Sequence, residues 1–409
     1  MRKPSVGIIF LTVFLDLIGF GIVIPLLQLY GKGFHAPSWE LALIMSAYSL
    51  MQFVFGPILG RLSDRIGRRP VLLISTAGST ISYIIFAIGS GLTGQTALVV
   101  ILLSRFFAGM CGANISVAQA YIADITPPAQ RSGRMGLIGM AFGLGFIFGP
   151  PIGGFAATFF GRSGPGWVAA ALCAANFILA FAILPESWKP SSEHVSRRPH
   201  VDQWLHTMGL PKVGLLVDIF FLATFCFTCF ETSIGLLICE KFNILVDSDR
   251  APRVQGYVFM FAGLIGALVQ GGLTKRLVKR MGEPKVIGLS LFLAAIGLGV
   301  IPFVNTWTTV LIVIAVLSIG SNLTRPPLFG MLSNLTAAHE QGVTIGVAQG
   351  MGALARILGP MILLPLYYWI EYLPYVICAA ISVLAGLLAW QRLSRGYERA
   401  PVATPAIEA

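Results

Sequence analysis

The sequence predicts an all-α membrane protein whose twelve transmembrane helices form two pseudo-symmetric six-helix bundles. Three observations predict this fold class. Charged residues make up only 11% of the 409 residues, whereas soluble domains contain about 25%. Apolar runs long enough to cross a bilayer, about 20 residues each, recur along the whole chain. Two segments of the first half reappear in the second half at almost the same spacing.

The apolar runs define the individual helices, because a spanning helix needs an apolar surface along its whole length. The first run is longer than the apolar part of a cleaved signal peptide, about 7–15 residues, and it contains Asp16, so we predict a retained helix. The predicted spans are 5–29, 40–60, 70–91, 96–124, 133–158, 166–184, 213–240, 254–273, 285–303, 307–333, 342–369 and 372–391.

Lys and Arg predict the orientation, because cytoplasmic loops of membrane proteins carry an excess of both. They concentrate in every second gap, which places both termini in the cytoplasm, as expected for a protein of the cell (inner) membrane. The net charge of +11 follows from this topology and not from nucleic-acid binding. The basic gaps contain Arg61, Arg65, Arg68 and Arg69; Arg131 and Arg134; Lys189, Arg197, Arg198 and Lys212; and Lys275, Arg276, Lys279, Arg280 and Lys285.

The longest polar break divides the predicted helices into two sets of six. It is proline-rich and too short for a soluble domain, so it is a predicted cytoplasmic linker. The predicted organisation is an N-terminal bundle at 1–185, the linker at 186–212, a C-terminal bundle at 213–393 and a cytoplasmic tail at 394–409.

The two sets look like repeats of one another. The segment from Gly60 to Arg69 matches that from Gly271 to Arg280, and the run ending in Gly149-Pro150 matches the run ending in Gly359-Pro360. The offsets of 211 and 210 residues indicate a duplication, since parallel repeats build the two halves of some transporters.

The loop between the second and third spans carries the most specific motif, G-x-L-x-D-R-x-G-R-R. Its glycines allow a tight turn and a close helix approach, and its aspartate stands among cations with which it can pair. The motif resembles the signature loop of the major facilitator superfamily, and the resemblance implies the major facilitator fold. It consists of Gly60, Leu62, Asp64, Arg65, Gly67, Arg68 and Arg69.

The resemblance also implies a conformational latch on the cytoplasmic side. Asp64 would pair with Arg68 and with an acid at the end of the fourth helix, where Asp124 stands. Asp64 would also face the N-terminal end of the eleventh helix, whose amides favour an anion. The predicted latch consists of Gly60, Asp64, Arg65, Gly67, Arg68, Arg69, Asp124 and Arg131.

The fifth span contains a dense run of glycine and proline. Glycines let two helix backbones pack closely, and proline bends a helix. The run resembles the antiporter motif of drug exporters in the same superfamily, although ordinary glycine packing is the alternative. The residues concerned are Gly145, Gly149, Pro150, Gly153 and Gly154.

Three charged residues are candidates for proton coupling. Asp16 resembles the acid in the first-helix motif of drug:proton antiporters, and a carboxyl in an apolar interior is costly enough to suggest a function. Arg105 resembles the conserved arginine of the fourth helix; near Asp16 it would favour the carboxylate. Glu231 is a candidate second proton or substrate group. The alternatives are a permanently protonated Asp16, an Arg105 that pairs with polar groups such as Gln52, and structural pairing of Glu231.

The predicted substrate cavity lies between the halves and is lined by Gln52, Phe106, Phe230, Arg325 and Arg356. Arg325 precedes two prolines, where a broken helix can line a cavity. Arg356 is a candidate partner of Glu231. Structural ion pairing of the arginines and plain packing of the aromatic residues are the alternatives.

The resemblance covers nearly the whole chain and extends to the tetracycline/proton antiporter subgroup. Those exporters carry further acids in the third and ninth helices. Here Ser82 stands in the third helix, and the run from Lys285 to Pro302 contains no acid. The resemblance therefore implies the fold and the proton coupling, but not tetracycline as the substrate.

We expect a proton-coupled antiporter that exports small amphipathic molecules by alternating access. A proton symporter or uniporter for a metabolite is the second hypothesis, and a non-transporting scaffold or receptor is the third. The sequence has no phosphate-gripping lysine motif, nucleophile triad or metal-ligand spacing. We therefore expect no enzymatic activity, cofactor or metal, and a monomer whose partners are a small molecule, protons and the lipid bilayer.

Overall fold

The computed structural model describes residues 5–127, 131–188, 200–246, 248–336 and 341–394, and the regular structure of these residues is entirely helical. The first half contains α1 Val6–Gly33, α2 Ser38–Ile66, α3 Arg68–Gly91, α4 Gly94–Gly112, α5 Ile115–Asp124, α6 Arg131–Phe160 and α7 Gly164–Ile183. The second half contains α8 His200–Gly209, α9 Pro211–Lys241, α10 Arg250–Leu268, α11 Thr274–Met281, α12 Glu283–Val300, α13 Trp307–Leu335, α14 Gln341–Trp369 and α15 Leu373–Leu388.

Eleven helical segments within the described residues are long and apolar enough to cross a membrane, which confirms the prediction of an all-α membrane protein. The α10 helix is not among the eleven, because Arg250, Arg253 and Gln255 lower the hydropathy of its first turns. The twelfth span therefore stays a prediction. Helix α1 packs against α6 and α7, and α9 packs against α14 and α15. The division into two six-helix bundles stays a prediction.

Two seams join the halves. One is formed by α6 and α10, and the other by α2 and α14. The linker helix α8 lies beside the second seam, where the Trp204 ring packs edge-on against Phe53 with 6.0 Å between the ring centroids. The other side of the same indole faces Gly350 of α14. The linker thus contacts both halves at once.

The predicted fourth span is broken. It consists of α4 and α5, which are separated at Ala113 and Asn114. A break frees backbone groups from the helical ladder, and at membrane depth such groups are tolerated only inside the protein. Asn114 is indeed buried. The break therefore brings a polar amide into the interior of the first half.

The turn after α2 differs from its counterpart in the second half. Gly67 joins α2 to α3 with φ +102°, and Gly282 joins α11 to α12 with φ +83°. Both residues adopt the left-handed region that favours glycine. Gly282 lies four residues farther along than the sequence match places it, because a π-helical turn, Val269–Leu273, and the added helix α11 precede it.

Candidate functional site

Asp16 lies in the middle of α1 and is half-buried. The Nδ2 of Asn114 donates a hydrogen bond to its Oδ2 at 3.2 Å. The break between α4 and α5 thus supplies one partner of the candidate proton carrier, and the Ser79 side chain of α3 supplies another. Sequence reasoning did not identify Asn114, although a polar amide within the fourth apolar run was a usable signal.

Arg105 is fully buried in α4. Its guanidinium lies over the rings of Tyr83, at 5.7 Å, and Phe86, at 5.5 Å. Within the described residues, none of its three nitrogens has a partner at strict hydrogen-bond geometry, but the Tyr83 side chain interacts with it through both its ring and its hydroxyl. The buried guanidinium is therefore held mainly by aromatic neighbours.

Asp16 and Arg105 do not contact each other within the described residues, and two tyrosines interact electrostatically with both of them. Arg105 precedes Asn114 by nine residues, which separates the two side chains by roughly 13 Å along the helix axis. Tyr48 and Tyr83 lie within electrostatic range of both charges. The expected contact between the guanidinium and the carboxyl is therefore not among the described interactions, and the coupling role of Arg105 stays a prediction.

A second group of charges lies in the other half. Glu231 of α9 is within electrostatic range of Arg325 on α13 and Arg356 on α14. None of the three closes an ion pair shorter than 4.0 Å within the described residues. The Arg325 guanidinium stands 5.6 Å from the centre of the Phe220 ring. The three side chains are therefore close enough to interact electrostatically, without a described ion pair between them.

This second group adjoins the first half. The Ser46 hydroxyl of α2 donates to the carbonyl of Ile357 at 2.8 Å, next to Arg356. Arg356 and Tyr48 are within electrostatic range of each other. Arg105 is buried, Asp16, Glu231 and Arg356 are half-buried, and Arg325 is exposed. These five charges form one polar region, which Tyr48 connects across the seam between α2 and α14.

The remaining predicted cavity residues have different surroundings. The Nε2 of Gln52 donates to the carbonyl of Gly112 at 3.1 Å and so ties α2 to the break in the fourth span. Phe106 is half-buried. Phe230 is 1% exposed and packs against Phe227 and Phe259. Its side chain is therefore covered by neighbouring rings in this conformation, and its role in the cavity stays a prediction.

The cytoplasmic turn after α2 is built around Arg68, which is buried. Its Nη1 lies 2.6 Å from Asp64 Oδ1, and its Nε donates to Asp124 Oδ2 at 3.1 Å. The Ser63 hydroxyl accepts a third bond at 2.6 Å. One guanidinium therefore joins the end of α2, the start of α3 and the end of α5; we call these four residues the Arg68 cluster.

Glu186 anchors the same turn and was not predicted. Its carboxylate accepts hydrogen bonds from the backbone N–H groups of Arg68, at 3.0 Å, and Arg69, at 3.1 Å. These amides are unpaired at the start of a helix, where an anion is favourable. A Cβ atom placed on Gly67 would lie 2.5 Å from Glu186 Oε2, so this glycine is needed for the close approach.

Several predicted latch residues lie outside the cluster. Arg65 is exposed, and a Cβ atom on Gly60 would meet nothing closer than the Ser116 hydroxyl at 3.9 Å. Gly60 is therefore not required for close packing here. Arg69 turns away and donates to the carbonyls of Leu184 and Phe181. The side chain of Arg131 and those at the start of α14 lie outside the described residues.

The glycines of α6 place it in contact with two helices. Gly145, Gly149 and Gly153 face α1, where Cβ atoms would lie 2.5–2.8 Å from backbone atoms of that helix. Gly154 faces α10 instead, with a Cβ atom 2.7 Å from the carbonyl oxygen of Pro252. The stripe thus allows α6 to touch the backbones of both halves, and Pro150 lies within it.

Polar contacts also cross between the halves near the ends of α1 and α9. Lys32 forms an ion pair with Glu240, and Tyr367 donates to the other oxygen of Glu240 at 2.8 Å. Gln255 of α10 donates to the carbonyl of Pro25 at 2.5 Å. In the turn after α14, burial and then the nearby Glu240 raise the pKa of Glu371. With the predicted orientation, this is the outer mouth of the protein, and it is closed.

Comparison with known proteins assigns the chain to a family. The sequence profile described as Major Facilitator Superfamily matches residues 9–360 and, in an overlapping second match, 258–409. This chain belongs to the Major Facilitator Superfamily. Membership confirms an integral, multi-pass membrane protein and points to a transporter of small molecules rather than an enzyme.

The superfamily relatives include tetracycline and multidrug resistance proteins, which confirms the resemblance to the drug:proton antiporter branch. The chain is 33% identical to a tetracycline resistance protein, class E, of Escherichia coli over 87% of its own length and 86% of that protein. It is 28% identical to major facilitator superfamily domain-containing protein 10 of Bos taurus over 93% of its own length and 91% of that protein. The crystal structure of the human organic anion transporter MFSD10 shares the fold, with a TM-score of 0.71 and 24% identity over 95% of this chain and all of that chain.

Proposed function

We propose that this superfamily member is a proton-coupled exporter of small amphipathic molecules that alternates access between two six-helix halves. Asp16 is the proton carrier of the proposal. One observation supports it above the others: a carboxyl in the middle of a spanning helix is held by Asn114 at a helix break. An ionisable group at this depth is costly and is usually functional. The relatives that are named for tetracycline and multidrug resistance are consistent with export.

The contacts of the two seams support a mechanism of rocking halves. Glycine-mediated backbone contact between α6 and α10 offers a surface on which the halves can tilt. The Arg68 cluster would stabilise the outward-facing state, and the contacts at the outer mouth would stabilise the inward-facing state. We further propose twelve spans, two six-helix bundles, both termini in the cytoplasm of the inner membrane, and a monomer.

Proton symport is the second candidate, and the interior charges favour it. Three arginines, Arg105, Arg325 and Arg356, stand against two carboxyls in the polar region. Protonating either carboxyl makes the region more positive, so a negatively charged cargo and a proton would bind together more readily than they would exclude each other. The sign of coupling therefore depends on the charge of the cargo.

Proteoliposomes containing the purified protein and an internal pH dye test the proposal. Export against protons predicts that cargo outside drives alkalinisation inside, whereas symport predicts acidification. The Asp16→Asn variant should abolish either signal while passive binding remains. Asp218→Asn is the matched control, because Asp218 is an exposed carboxyl nearer the end of α9. Unchanged proton movement in Asp16→Asn would remove Asp16 from the mechanism, and no flux of any cargo would favour a scaffold or receptor.

A further inference from the structure

The interior of the protein carries a surplus of positive charge that no protonation state removes. Arginine remains charged in proteins, so Arg105, Arg325 and Arg356 contribute three fixed cations. Asp16 and Glu231 contribute at most two negative charges, and they contribute none when protonated. The other carboxyls of α9 are Glu240, nine residues after Glu231 and paired with Lys32, and the exposed Asp218, thirteen residues before it; they lie roughly 13 Å and roughly 20 Å away along the helix. The polar region is therefore short of anions.

The shortage is concentrated between α9, α13 and α14. Arg325 and Arg356 are close enough to Glu231 to interact with it, yet neither forms a described ion pair with its carboxylate. A closed bidentate pair would occupy the parallel N–H donors of a guanidinium. Within the described residues, neither guanidinium forms such a pair with the one carboxyl in its range. An acidic group entering this region would find two cations and meet one competing anion.

The surface beside the two guanidiniums is apolar. The Phe220 ring lies under Arg325 at 5.6 Å, and Phe329 packs edge-on against Phe220 with ring centroids 5.1 Å apart. Phe329 is only half-buried. A flat apolar group attached to an acid can therefore rest on the Phe329 ring, which the buried Phe220 supports from below, while the acid reaches the guanidiniums.

We propose that the cargo is an amphipathic organic anion whose acidic group binds between Arg325 and Arg356 and whose apolar part lies against Phe329. This proposal rests on the proposed function, in that the chain must bind and move a small molecule. A cationic cargo is disfavoured because it would meet two guanidiniums and one carboxylate, so that repulsion exceeds attraction. Glu231 then opposes the cargo, so that losing its charge should tighten binding.

Two dyes with the same ring system and opposite charge test the proposal. Fluorescein is an anion at neutral pH and rhodamine 6G is a cation, and fluorescence polarisation reports the binding of each to the purified full-length protein. We expect fluorescein to bind at least tenfold more tightly than rhodamine 6G. Arg325→Gln and Arg356→Gln should each weaken fluorescein binding about tenfold, which corresponds to about 1.4 kcal/mol. Arg325→Lys, which keeps the charge, should lose less.

Glu231→Gln should change fluorescein affinity in the opposite direction, with several-fold tighter binding. A misfolded variant cannot produce that gain, so the result is informative even if an arginine variant is unstable. Arg276→Gln, on the exposed face of α11, is the control and should leave both affinities unchanged. Tighter binding of rhodamine 6G by the wild type, or unchanged fluorescein binding in both arginine variants, overturns the proposal.

The same dyes separate this inference from the proposed function. If a pH gradient moves rhodamine 6G through proteoliposomes, proton-coupled transport holds and the anion inference is wrong. If fluorescein binds with the predicted charge dependence but no pH gradient moves it, the anion inference holds and proton coupling is wrong.

Discussion

The two halves differ most at the places where their sequences repeat. After α2, a buried arginine joins Asp64 and Asp124 across three helix ends. At the matching place in the second half, α11 presents Lys275 and Arg276 to the surroundings as exposed cations. Both halves therefore have a basic helix end and a turn glycine at this place, and the first half adds a cluster built on a buried arginine.

The interiors differ in a related way. In the first half, the carboxyl is held by an amide and the guanidinium is sealed under two rings. In the second half, one carboxyl lies within electrostatic range of two guanidiniums, and these groups form no ion pair within the described residues. The difference suggests a division of roles, with the proton site and the latch in the first half and the cargo site in the second.

Replacing Arg68, the centre of the Arg68 cluster, is the most severe test of the difference between the two halves. Arg68→Ala leaves two partly buried carboxylates side by side without their cation, so we expect a loss of about 1–3 kcal/mol of stability and a transport rate reduced tenfold or more. Thermal unfolding in detergent and proteoliposome flux measure the two effects. Arg276→Ala on α11 should change neither; an equal loss there would show that the halves are equivalent.

The paired glycines of the repeat give a second, smaller contrast. A Cβ atom on Gly149 would lie 2.5 Å from the backbone of Gly21, whereas one on Gly359 would meet the Thr228 side chain at 2.7 Å. Backbone can yield only by moving α1, so Gly149→Ala should cost about 1–3 kcal/mol and Gly359→Ala less. Thermal unfolding of both variants tests the order.

Gly139 supplies the control for the glycine contrast, because it lies in the same helix as Gly149 and has open space where a Cβ atom would go. Gly139→Ala should therefore be neutral or slightly stabilising. If all three alanine variants unfold at one temperature, close backbone packing is not the reason for the glycine stripe.

Hydropathy alone predicts most of the fold, because each spanning helix is an apolar run that its own residues specify. The break at Asn114 escaped the prediction, since an apolar run stays apolar whether or not its backbone is continuous. The π-helical turn before α11 escaped for a similar reason: the sequence match fixes the spacing of Gly271 and Arg280, but not the length of helix before the turn at Gly282.

The site was less predictable, because polar contacts between distant helices depend on how those helices are rotated and packed. The Asp64–Arg68–Asp124 contacts were expected only through the family resemblance. Glu186 meets Arg68 from 118 residues away, and no spacing rule connects them. The Lys32–Glu240 pair joins α1 to α9, and no sequence pattern indicates which ends of these two helices meet.

The Lys32–Glu240 pair at the outer mouth should contribute much less to stability than the Arg68 cluster. Both side chains are about one-third exposed, and such pairs contribute about 0.2–1 kcal/mol because water and salt screen them. A double-mutant cycle of Lys32→Ala and Glu240→Ala, measured by thermal unfolding, should therefore give a coupling energy within that range that declines at high salt. Tyr367→Phe removes only the hydroxyl that also binds Glu240 and serves as the uncharged control. If the stability losses of the two alanine variants are strictly additive, the coupling energy is zero. The outer mouth would then be held closed by helix packing against α1 and not by the ion pair.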